Sequence, residues 1–120
     1  MRPTCLLLAA LFAACSPPTP MSLAVQVSCV PETQVLRQRC TVKLTDRNTG
    51  GPVKGATITL HADMPSMPLA HSVPPAAATA GTEPGTYHAT LQLAMLGRWV
   101  IAVRIAGPVN DQATHAIDVE

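Results

Sequence analysis

Two histidines and two methionines crowd into eleven residues of this sequence, His61-Ala62-Asp63-Met64-Pro65-Ser66-Met67-Pro68-Leu69-Ala70-His71. Thioether sulfur prefers soft Cu(I), and imidazole also suits copper. Such ligands fit an exported protein, because disulfide formation does not consume them. Pro65 and Pro68 bracket Ser66-Met67 and stiffen the loop, holding the methionines in fixed directions. Asp63 stands two positions from His61, where it could orient the imidazole. The types and spacing therefore suggest a metal site of Met64, Met67 and His61, joined by His71 and by Met95 from farther along the chain, with Cu(I) as the favoured ion. The competing reading is structural. Methionine is an adaptable core filler, and the chain has one Phe, one Tyr and one Trp. Met64, Met67 and Met95 would then plug one end of an aliphatic core. Taken singly, His71, His88 and His115 read as rim or solvated positions, although His115 shares the parity of Ile117 and Val119.

Period-two alternation supplies the elements that must hold these residues. Leu23, Val25, Val27 and Cys29 form one run, and Cys40, Val42 and Leu44 another. Ile58 and Leu60 lead into His61, whose parity turns it away from the core. Tyr87, Ala89, Leu91 and Leu93 follow, then Trp99, Ile101, Val103 and Ile105, and finally His115, Ile117 and Val119. Asp46-Arg47-Asn48-Thr49-Gly50-Gly51-Pro52 and Gly107-Pro108-Val109-Asn110-Asp111 are turns. A seventh, weaker strand falls within residues 69–80, where Pro74-Pro75 suits only an edge or an irregular crossing. About seven short antiparallel strands with Gly/Pro turns predict an all-β, immunoglobulin-like β-sandwich. If residues 69–80 cross the sandwich once, the loop after His61, the turn Met95-Leu96-Gly97 and the segment between Cys29 and Cys40 share one end. Without that crossing, Met95 lies far from the others. His88 falls towards the opposite end.

The first residues read as a targeting segment. Arg2 is followed by an apolar run, residues 6–14, far shorter than the ~20 residues a spanning helix needs. Leu11-Phe12-Ala13-Ala14-Cys15 resembles a bacterial lipobox, in which Cys15 carries lipid and becomes the mature N-terminus. The alternative is an ordinary secretory leader cleaved near Ala14 or Ser16. The expected organisation is a lipoprotein-type signal peptide over residues 1–15, a Pro-rich tether over 16–21 and one β-sandwich domain over 22–120. The expected location is the bacterial cell envelope on the periplasmic side, anchored by lipid or else secreted into the periplasm. Ser16 after Cys15 leans towards the outer membrane. Without Arg2, the seven remaining Lys and Arg match the seven Asp and Glu, so nothing in the charge points to nucleic acid. Cys29 and Cys40 then remain in an oxidising compartment. Their spacing fits a disulfide across two antiparallel strands. A thiol metal site is the alternative, against which stand the wide spacing and the lack of a nearby His.

Three blocks carry a family resemblance: Leu44-Thr45-Asp46 through Gly51-Pro52-Val53-Lys54-Gly55-Ala56-Thr57-Ile58; Met64-Pro65-Ser66-Met67-Pro68; and Pro84-Gly85-Thr86-Tyr87-His88-Ala89 on to Met95-Leu96-Gly97-Arg98-Trp99. Together they resemble the YtkA-like domain, which is similar in turn to the FixH family. The resemblance implies an immunoglobulin-like fold in an envelope protein. It also implies a link to copper supply, metal efflux or cytochrome oxidase assembly. FixH-type proteins are normally anchored by a transmembrane helix, whereas this chain shows a lipoprotein-type leader.

No G-x-S-x-G or H-E-x-x-H motif and no phosphate-cradling glycine loop is present, and the acids are scattered, so no enzyme is expected. Two functions stay open. One is a periplasmic lipoprotein module that binds or delivers copper, or assists assembly of a respiratory metalloenzyme; its partners are the membrane, through its lipid, and a copper-requiring envelope protein or an efflux or oxidase complex. The other is a non-metal accessory domain that docks on an envelope complex through a sheet edge or loop.

Overall fold

Wherever apolar and polar residues alternate, the computed structural model, which describes residues 22–67 and 73–120, forms a strand. The leader with Cys15, the tether and His71 lie outside the described residues. The strands are β1 (Leu23–Pro31), β2 (Arg37–Asp46), β3 (Thr57–Asp63), β4 (Ala76–Ala77), β5 (Thr79–Ala80), β6 (Thr86–Gln92), β7 (Gly97–Ala106) and β8 (Asp111–Val119). They pair antiparallel in two four-stranded sheets, β1-β2-β6-β5 and β4-β3-β7-β8. This is the expected sandwich. The weak seventh strand is two short pieces, one on each sheet, so the chain changes sheets at Ala78. Its backbone N–H donates to the Ile58 carbonyl at 2.9 Å. β8 starts at Asp111, earlier than its apolar residues suggest, because Gln112 and Thr114 continue the outward-facing polar series.

The inward residues of both sheets interlock. Val42 and Leu44 of β2 and Leu91 of β6 meet Ile58 and Leu60 of β3 and Trp99, Ile101 and Val103 of β7, all fully buried. The Cys29–Cys40 disulfide joins directly opposed residues of β1 and β2. It fastens an edge strand to the strand it pairs with, and such a bridge contributes about 2–4 kcal/mol.

The register fixes which loops meet. Pro31 faces Gln38, Arg37 faces Gln92, Asp63 faces Val100 and Gly97 faces Val119. The β1–β2 loop, the loop after β3, the β6–β7 loop and the tail of β8 therefore share one end of the sandwich, called here the loop end. Leu23, where β1 begins opposite Asp46, stands at the other end.

At that other end, three hydrogen bonds lock the Pro84-Gly85-Thr86-Tyr87 strand entry. The Tyr87 hydroxyl donates to the Val53 carbonyl at 2.8 Å and accepts from the Ala56 N–H at 3.2 Å. The Gly85 carbonyl accepts from the Leu44 N–H at 2.8 Å. Gly85 has φ +77°, and a β-carbon there would stand 2.7 Å from the Leu44 carbonyl oxygen. Left-handed backbone and the close approach both require glycine. Gly85→Ala is therefore expected to lower stability by about 1–3 kcal/mol, read as a shifted urea midpoint; an unchanged midpoint contradicts this packing.

Candidate functional site

The methionines collect at the loop end, but they do not share one environment. Met64 continues the inward parity of Ile58, Leu60 and Ala62 past the end of β3 and is 4% exposed, within the core. Its methyl carbon rests on Gly97, where an added β-carbon would lie only 2.8 Å from it. Met67 and Met95 are half-buried and pack on the core from its rim. The Met67 N–H donates to the Met64 carbonyl at 3.0 Å, closing the turn. The Trp99 indole N–H donates to the Met95 carbonyl at 3.0 Å. Trp99 thus fixes the β6–β7 turn against the core and determines where Met95 stands.

The structure does not bring His61 to the methionines. His61 lies on the outer face of its sheet, opposite Ala102, while Met64 turns inward. Asp63 shares the face of His61, one pleat farther on. Among the described residues no group of three or more His, Cys, Asp or Glu could hold a metal ion. His88 stands towards the opposite end: its Nδ1 lies 3.1 Å from the Thr41 hydroxyl, and a β-carbon at Gly81 would meet its Nε2 at 2.7 Å. His115 is half-buried on the inward side of β8, opposite Ile101.

Beside the methionine rim lies a groove of about 500 Å³, walled by the β1–β2 loop, Leu96 and the end of β8. The loop is strongly held. Glu32 N–H donates to the Arg37 carbonyl at 2.9 Å, the Arg37 guanidinium lies 3.2 Å from the Glu32 carboxylate, and Arg37 donates to the Gln34 side chain at 2.6 Å. Leu36 sits at φ +64°, a left-handed conformation that a bulky side chain rarely adopts. Its carbonyl accepts from the Leu93 N–H at 2.8 Å, tying the β1–β2 loop to the β6–β7 loop.

Two features of the groove have no counterpart in the sequence reading. Val35 and Leu96 are 81% and 56% exposed. Gln38 is 6% exposed, the one polar residue in the otherwise apolar buried set, and its side chain lines the groove. Among the described residues no donor or acceptor meets its amide. No described polar side-chain atom is both sealed from solvent and unpartnered, so the Gln38 amide reaches the groove. The signal was present: Gln38 shares the parity of Cys40, Val42 and Leu44, so a polar residue stood at a core position. The groove carries Glu32, Asp118 and Glu120 against Arg37.

The division between core and rim has a measurable consequence. Met64→Ala is expected to cost about 2–5 kcal/mol, and Met67→Ala less than about 1 kcal/mol, both by chemical denaturation. Equal, small losses contradict the placement of Met64.

A family model described as YtkA-like matches residues 20–104. No curated protein and no solved structure matches the chain.

Proposed function

The chain belongs to the YtkA-like family, and on that premise we propose that it is a non-enzymatic accessory domain of the bacterial cell envelope that docks on a partner protein through its loop end. The observation supporting this reading is the exposure of Val35 and Leu96 beside the groove. Exposed aliphatic side chains scattered singly are ordinary, but Val35 and Leu96 line one and the same concave surface, and apolar groups gathered in this way suit a contact site. The topology suits a tethered domain. β1 starts at the opposite end, so a lipid on Cys15 would hold that end towards the membrane. The tether reaches at most about 20–25 Å, and β1 adds about 30 Å. The loop end would then stand well clear of the bilayer, available to a partner.

A photo-crosslinking residue in place of Leu96, introduced in cells, is expected to give a discrete adduct with one envelope protein. The same residue in place of Lys54, at the opposite end, should give none. Equal yields from both positions, or no adduct from Leu96, would count against docking through this end.

A second reading, copper binding or delivery to a respiratory metalloenzyme, draws on Met67 and Met95, which are half-buried at the same end. On that reading their thioethers are the donors, and Met64 serves as packing beneath them. Cu(I) titration of the protein should then show binding that Met67→Leu and Met95→Leu each weaken by about 10-fold or more. Binding unchanged by both substitutions removes this reading.

A further inference from the structure

The groove has the features of a place where a strand is missing. β1 is the outer strand of one sheet and β8 of the other, and the two approach each other on the same side of the sandwich. The groove opens between them, reached by Cys29 and Pro31 from one and by Ile117 to Val119 from the other. An edge strand presents unpaired N–H and C=O groups that an added strand can complete. In the groove, the Gln38 amide can present an N–H donor and its carbonyl acceptor side by side, the complement of the N–H and C=O that a single residue of an extended strand points to one side. Leu36, Leu96 and Ile117 supply apolar walls for alternate side chains of a visitor. Three carboxylates against one guanidinium, itself paired with Glu32, leave the groove acidic. Arg98 faces Asp118 across the β7–β8 pair but does not line the groove.

We propose that this groove takes an extended, basic segment of the partner polypeptide, laid along the free edge of β8 with the N–H and C=O of one of its residues paired to the Gln38 amide. The inference rests on the docking function proposed above and specifies the chemistry of the docked segment. The Gln38 amide opens onto the groove and meets no donor or acceptor among the described residues, so it is available to hydrogen-bond the segment. Alternate side chains meet the apolar walls, and a lysine or arginine meets Asp118 and Glu120.

The test is a nuclear magnetic resonance titration of the 15N-labelled protein. The probe is a synthetic peptide of alternating valine and threonine with a lysine at each end, matched to the 9 residues of β8. Shifts are expected in the β1–β2 loop, Leu96, the last residues of β8 and the Gln38 side-chain amide. Gln38→Leu should weaken binding about 10-fold while leaving the rest of the spectrum in place. A peptide with glutamates for lysines should bind more weakly, and one with prolines at alternate positions, which lacks the needed N–H groups, should not bind. The proposal is overturned if no shifts occur, if they scatter away from the groove, or if Gln38→Leu and the proline peptide behave like the originals. It is also overturned if raising the protein concentration alone shifts the same residues, which would assign the edge to a second copy. Failure here with a persisting Leu96 adduct removes only the strand proposal. Failure of both removes the docking function with it.

Discussion

Every sheet has to do something with the backbone groups of its outermost strands, because half of them point where no neighbour stands. In this sandwich the two sides solve the problem differently. On one side the chain itself crosses between the sheets, and the outer strands β4 and β5 are only two residues each, too short to recruit another chain. On the other side β1 and β8 each run nine residues. Nothing in β1, Leu-Ala-Val-Gln-Val-Ser-Cys-Val-Pro, bears a charge, so apart from Pro31 at its end it lacks the usual safeguards of an edge. The Cys29–Cys40 bridge ties β1 firmly to β2 and so keeps the seam's geometry fixed without closing it.

The loop end inherits its shape from the core. With one buried Trp in the centre, the space above it is filled by Met64, and glycine at position 97 leaves room for its methyl group. The indole N–H of Trp99 holds the neighbouring turn by its carbonyl at Met95. The Leu93–Leu36 hydrogen bond then carries that order across to the β1–β2 loop, where Leu36 is held in a conformation it would not choose alone. The exposed Val35 and Leu96 and the open amide of Gln38 are therefore displayed by a hydrogen-bonded base, as the proposed docking surface would require.

Much of this architecture is legible in the sequence, because period-two alternation maps directly onto a two-layer core. Trp99, Tyr87 and the Cys29–Cys40 pair take the places their parity assigns. The single crossing within residues 69–80, which decides whether Met95 joins Met64 and Met67, is real, but Pro74-Pro75 and the alanines carry no alternation to show that each sheet receives a piece. The block from His61 to His71 reads as one loop because Pro65 and Pro68 dominate it. Its first three residues are strand, and a separation of three along a strand reverses the face, so His61 and Met64 part. Gln38 escapes notice because β2 begins at Arg37, before the apolar run that announces it. Val35 and Leu96 sit in loops, where no periodicity says whether a side chain folds inwards.

The open seam between β1 and β8 is the claim on which the functional account stands. Amide hydrogen exchange of the protein in dilute solution tests it directly. Along both strands protection should alternate, with inward-paired amides slow and every second, outward amide exchanging rapidly. Uniform protection along β1 and β8 would mean that these edges are already occupied, and would contradict a site waiting there for another chain.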